Sequence, residues 1–154
     1  MENLLTIQTL NAAETEAVGA ELAKKMLEDP GIPPFVALYG DLGVGKTAFV
    51  RGFASVISPG VTVRSPTFAL VNEYRGKPRP IFHFDMYRIS GEDDLLSIGF
   101  YDYLDRPGIC LVEWSENIPY ALPDDYVRVE IVKSDPERPD CRTLTIGQIG
   151  GAGA

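Results

Sequence analysis

One octapeptide constrains this chain more than any other feature. Gly40-Asp-Leu-Gly-Val-Gly45-Lys46-Thr47 fits the pattern G-x-x-x-x-G-K-[ST]. It lies between a continuous apolar run, Phe35 to Tyr39, and a segment from about Thr47 to Ile57 in which Phe49, Phe53 and Ile57 recur at helical spacing. An apolar run of that kind is expected of a strand buried on both faces, so the motif has the strand–loop–helix context it requires. Glycines let the backbone wrap closely around anionic oxygens. Successive N–H groups and the helix N-terminus then point at the anion. Lys46 adds a positive charge for β- and γ-phosphates, and the Thr47 hydroxyl is suited to ligate Mg²⁺. From average residue frequencies, chance yields the pattern in a chain this long roughly 1% of the time.

The flanking sequence predicts an α/β domain around that loop. Leu4 to Thr9 reads as an opening strand, and Asn11 with Glu14 three residues on reads as the start of a helix striped by Val18, Leu22 and Met26. Pro30-Gly31 ends that helix. Short strands are predicted near Val61 to Arg64 and Ala69 to Tyr74, then over Ile81 to Phe84. Ser90 reads as an N-cap before Glu92, Asp93 and Asp94, and two short helices fill Glu92 to Leu104. Ile109 to Val112 is a second strongly apolar strand. Val127, Val129 and Ile131 mark a late strand, and Thr143 to Ile146 is placed to pair with it. The fold class expected is a single-domain P-loop NTPase-like fold, with a mixed, largely parallel central sheet flanked by helices. The domain is expected over 1–146, with a disordered glycine-rich tail over 147–154.

Composition removes several alternatives. The single histidine, His83, excludes a His-Glu-x-x-His metalloprotease, and with two cysteines, Cys110 and Cys141, there are too few ligands for a zinc site. Cys110 sits in an apolar run and reads as a small hydrophobe. No apolar stretch reaches the ~20 residues of a membrane-spanning helix. The start Met1-Glu2-Asn3 lacks the basic and apolar segments of a signal peptide, so the expected compartment is the cytoplasm. The net charge of −8 argues against autonomous nucleic-acid binding. The charge is uneven: Val61 to Gly91 carries five basic and two acidic residues, whereas Glu92 to Asp125 carries nine acidic residues and only Arg106.

Hydrolysis needs more than a phosphate loop: a carboxylate to help hold the metal and a group to orient the nucleophile. Such groups lie at the C-terminal ends of neighbouring strands. Glu113 and Asp85 both follow predicted strands, either as Mg²⁺ ligands or as structural strand ends. Thr67, in Ser65-Pro66-Thr67-Phe68, is a second hydroxyl for the γ-phosphate or Mg²⁺, or part of a plain turn. His83 reads as a hydrogen-bonded core residue in preference to a base. Trp114 is either core or a surface for the nucleotide, and Arg88 either neutralises phosphate or pairs with a carboxylate. The absence of Asn-Lys-x-Asp weakens a GTPase reading.

Four motifs in this order, Gly40 to Thr47, Ser65 to Phe68, His83-Phe-Asp-Met-Tyr-Arg88 and Leu111-Val-Glu-Trp114, resemble the bacterial TsaE (YjeE) family from about Leu5 to Ile146. The family is the small ATPase of tRNA threonylcarbamoyladenosine biosynthesis. The resemblance implies ATP and Mg²⁺ as cofactors. It implies a phosphate cradle over Asp41, Leu42, Gly43, Val44, Gly45, Lys46, Thr47 and Ala48, and metal-associated positions at Thr47 and Glu113. It implies Lys46, Thr67, Asp85 and Glu113 as the catalytic set, and Trp114 beside the nucleotide. Asn11 to Thr15 matches the part near adenine. Val44 and Ala48 depart from the family's commoner alanine and threonine without removing a backbone donor. TsaD and TsaB are the implied partners, with tRNA reached through their complex and no membrane involved. Two other classes fit the motifs alone: a small-molecule P-loop kinase, or a nucleotide-gated, non-catalytic interaction module.

Overall fold

In the computed structural model, which describes residues 2–40, 45–64 and 70–150, β1 (Glu2–Thr9) turns directly into α1 (Ala12–Glu28). Asn11 Oδ1 accepts from the Glu14 N–H at 2.9 Å, and Glu14 Oε1 accepts from the Leu10 N–H at 2.9 Å. The reciprocal cap expected of this pair therefore forms, with the carboxylate reaching one residue further back. The chain continues through β2 (Phe35–Tyr39), α2 (Lys46–Ile57), β3 (Val71–Tyr74), β4 (Ile81–Asp85), α3 (Glu92–Ser97) and α4 (Phe100–Leu104). It closes with β5 (Ile109–Glu113), a 3₁₀ turn (Ser115–Asn117), β6 (Tyr126–Lys133) and β7 (Arg142–Ile149).

The strands form one seven-stranded sheet in the order β1-β7-β6-β2-β5-β4-β3. Its centre is parallel: β2 lies between β6 and β5, and β5 pairs with β4. Its margins are antiparallel, β7 and β1 on one side and β3 on the other. This is the mixed sheet expected. Alternation within the apolar runs divides two cores. Val36, Leu38, Ile109 and Leu111 pack with Leu22, Met26, Phe49 and Phe53 of α1 and α2. Phe35, Ala37, Cys110 and Val112 pack with Leu95 and Phe100 of α3 and α4.

Helices α1 and α2 meet backbone to backbone. A Cβ on Gly52 would sit 1.8 Å from the Glu16 carbonyl oxygen, and one on Gly19 would sit 2.2 Å from that of Phe49. Only residues without a side chain allow that approach.

Three expectations are corrected. Residues 61–64 form no strand. Val61 and Val63 pack against the α1/α2 core, and side chains supply hydrogen bonds that a neighbouring strand would give: Tyr74 and Asn72 hold the Arg64 backbone. Ser90 is not the cap of α3. Gly91 is, in extended backbone, and Asp94 Oδ2 accepts from both the N–H and the hydroxyl of Ser90 at 2.9 Å. Third, Gly147, Gln148 and Ile149 belong to β7, not to a tail. β6 is long enough to pair with all three, and Gln148 also pairs with Glu2 of β1. Residues 151–154 and Ala69 lie outside the described residues. Among the described residues no helix is long and apolar enough to cross a membrane.

Replacing Gly52 with Ala should destabilise the protein by about 3 kcal/mol, because the overpacked atom is a backbone carbonyl that cannot swing aside; urea unfolding measures it. Burial pushes the Cys110 thiol up to about 12. Iodoacetamide at pH 8 should therefore label Cys110 only after unfolding, as read by peptide mass spectrometry.

Candidate active site

The three helix starts of α1, α2 and α3 are finished differently. The first has a side-chain cap, and α3 carries Glu92, Asp93 and Asp94 in its first turn. Among the described residues helix α2 has neither a side-chain cap nor an acid in its first turn, so the positive end of its dipole suits an anion. Gly45 makes the turn into α2 at φ 101°, a left-handed conformation that suits glycine. Lys46, only 5% exposed, folds back so that Nζ donates to the Gly40 carbonyl at 2.7 Å. The two ends of the phosphate-loop motif are thereby tied together.

Parallel register supplies the carboxylates. Leu38 of β2 pairs with Glu113 of β5, and Glu113 pairs with Asp85 of β4. The strand carrying the loop and the two carboxylates thus end side by side. Asp85 and Glu113 share the parity of Ile81, Ile109 and Leu111, which face α1 and α2. Burial pushes the Asp85 carboxyl above its usual range and the negative Glu113 adds to the rise. The Tyr87 N–H, which donates to Asp85 Oδ1 at 2.9 Å, opposes it, as do the nearby Lys46 and His83. Glu113 is 5% exposed, and its Oε2 is hydrogen-bonded to His83 Nε2.

Trp114 follows Glu113 in left-handed backbone, φ 59° and ψ 41°. Its ring lies 4.2 Å from Lys46 Nζ and 4.9 Å from the exposed Tyr87 ring. The indole therefore bridges the lysine of α2 and the segment after β4, a cation–π contact on one side and a tilted aromatic contact on the other.

The structure thus gathers Gly45, Lys46, Asp85, Glu113 and Trp114, with Thr47 and the buried Ala48 next along α2. Asp41, Leu42, Gly43, Val44 and Thr67 lie outside the described residues. Arg88 is exposed on the segment after Asp85. His83 is fully buried and hydrogen-bonded at both ring nitrogens, as its core reading requires. Within Asn11 to Thr15, it is Thr15 that approaches the loop: a side chain at Gly45 would meet Thr15 Cγ2 at 3.9 Å and Arg142 Nε at 3.8 Å. Sequence reasoning missed Arg142 as a neighbour of Gly45 and Tyr87 as a neighbour of Trp114. Arg142 arrives by the register of β7 with Thr9, which no local motif encodes.

The donor set suits Mg²⁺. That ion takes oxygen ligands, and it is held by one or two carboxylates together with phosphates more often than by an all-protein cage. Among the described residues no three His, Cys, Asp or Glu side chains gather as a metal cage. The Thr47 hydroxyl and the Glu113 and Asp85 carboxylates are all oxygen donors of the required kind.

A mixed sheet with a parallel centre, whose central strand β2 leads through a glycine-rich sequence into a helix begun by Lys46, is a P-loop NTPase fold. The crystal structure of YdiB from Bacillus subtilis superposes with a TM-score of 0.74 at 32% identity, covering 98% of this chain and 88% of that one. Residues 9–142 match the model of the threonylcarbamoyl adenosine biosynthesis protein TsaE, and the chain belongs to that family. The tRNA threonylcarbamoyladenosine biosynthesis protein TsaE of Bacillus subtilis is 35% identical over 143 residues, 93% of this chain and 85% of its own length. That of Haemophilus influenzae is 40% identical over 119 residues, 77% and 74% of the two chains.

An anion that draws Lys46 away from the indole changes the surroundings of the chain's one tryptophan. Titration with ADP should change Trp114 fluorescence saturably, and Lys46→Ala should abolish the change over the same concentrations.

Proposed function

We propose that the chain is a magnesium-dependent ATPase that supports the TsaD–TsaB complex in threonylcarbamoyl modification of the adenosine beside the tRNA anticodon. The observation that carries the reading is the placement of Lys46, at the start of α2, beside the paired ends of β4 and β5, in a chain of the TsaE family. The backbone from Asp41 to Ala48 cradles the phosphates, and the Lys46 ammonium binds the β- and γ-phosphate oxygens. Thr47 and Glu113 would hold Mg²⁺, which when bound neutralises charge on those oxygens. Trp114 borders the nucleotide. Asp85 and Thr67 act toward the partner-facing side. The domain over 1–146 contains all of these groups, and β7 extends it to Ile149. The protein works in the cytoplasm, reaches tRNA through the partner complex, and does not itself transfer the threonylcarbamoyl group.

Phosphate-loop switches hydrolyse slowly until completing groups arrive, at ~10⁻⁴ to 10⁻² s⁻¹ alone. Magnesium-dependent ATP hydrolysis should therefore be slow for the purified protein and stimulated by TsaD, TsaB and substrate tRNA. Lys46→Ala should lower the stimulated rate by about 100-fold or more, and Asp85→Ala should remove most of the stimulation. No hydrolysis in any mixture, with ATP binding demonstrated, would make the protein a nucleotide-gated binding module instead.

A further inference from the structure

The buried histidine between β3 and β5 has more partners than packing requires. His83 is 0% exposed. Its Nε2 is bonded to Glu113 Oε2, and its Nδ1 lies 2.9 Å from the Tyr74 hydroxyl. Tyr74 is 6% exposed and is itself fixed: its oxygen is 2.9 Å from the Arg64 carbonyl oxygen and accepts from the Arg64 N–H at 3.1 Å. Asn72 Nδ2 donates to the same carbonyl at 3.0 Å. The imidazole is therefore held at both nitrogens and cannot turn without breaking two buried hydrogen bonds, each costly to leave unmade. The core around it is built from aliphatic and aromatic side chains, and an apolar residue there would bring no polar group to desolvate.

What the chain of bonds ends on is the carboxylate assigned above to the metal. Oxygen ligands of metal ions are commonly oriented by hydrogen bonds from residues behind them. We propose that His83 and Tyr74 are positioning residues for the Glu113 carboxylate: His83 commits Oε2 and so sets the plane of the carboxylate, and Tyr74, anchored on the Arg64 backbone, holds the imidazole. The inference rests on the magnesium–nucleotide reading of the site.

The test separates metal affinity from nucleotide affinity. Mn²⁺ binding in the presence of saturating ADP is read by the electron paramagnetic resonance of free Mn²⁺, and ADP binding in EDTA is read by calorimetry. Tyr74→Phe and His83→Leu should leave ADP affinity in EDTA within about twofold of wild type. They should weaken Mn²⁺ binding by about 3- to 10-fold and 10- to 100-fold respectively. His83→Gln, which keeps an N–H donor, should recover part of the loss. On a Glu113→Gln background, His83→Leu should add nothing further, because the two act as one unit. Unchanged Mn²⁺ affinity in Tyr74→Phe and His83→Leu, or equal loss of ADP affinity with and without metal, overturns the positioning role. If His83→Leu does not fold, Tyr74→Phe alone decides. Failure of the wild-type protein to bind ADP and Mn²⁺ together would overturn the functional reading itself.

Discussion

The parallel register that sets Leu38, Glu113 and Asp85 abreast is what the rest of the site depends on. Parallel strands end at one edge of the sheet, so the segment leaving β2 toward the phosphate loop and the carboxylates ending β4 and β5 emerge together. A shift of one residue in either pairing would turn a carboxylate into the apolar layer of α3 and α4. The register also sets the buried Glu113 beside Asp85, whose negative form it disfavours. Lys46 stands near them, and a cation suits the place for the same reason. The burial of β2 on both sides and along nearly its whole length keeps this arrangement stiff.

Trp114 adds a second constraint. A bulky residue in left-handed backbone costs about 1–3 kcal/mol and persists only where surrounding contacts impose it. Here the contacts are visible. Ser115 Oγ donates to the Val112 carbonyl at 2.7 Å, and Asn117 Nδ2 donates to that of Met86 at 2.9 Å. The Met86 N–H donates to the Glu113 carbonyl at 3.0 Å. These bonds lace the end of β5 to the end of β4 and leave the indole directed at Lys46 and Tyr87. The strain is stored where the lysine, the carboxylates and the aromatic pair converge.

Much of this was legible in the sequence because local chemistry encodes it. The apolar runs of β2 and β5, the stripe of Phe49, Phe53 and Ile57, and the Asn11–Glu14 cap each follow from neighbours close along the chain. The gathering of Lys46, Asp85 and Glu113 followed from one rule about strand ends. Two of the failures share a cause: tertiary partners overrode composition. Glycine at 147 suggested a tail, yet a long β6 was there to pair with it. Val61 and Val63 alternate like a strand, but side chains of Tyr74 and Asn72 took the place of a neighbouring backbone at Arg64. The hydroxyl that anchors His83 comes from an edge strand nine residues earlier, a spacing with no motif to announce it.

The contact at Gly19 and Gly52 has a mechanical side. Helices separated by side chains can slide as rotamers adjust, but two backbones in direct contact have no such layer to yield. The α1 backbone at Glu16 and Gly19 thus rests directly on that of α2 at Gly52 and Phe49, near where Thr15 lies beside Gly45. A shift of α2 at Gly52 therefore meets the α1 backbone at Glu16 directly, with no side chain between them to take it up.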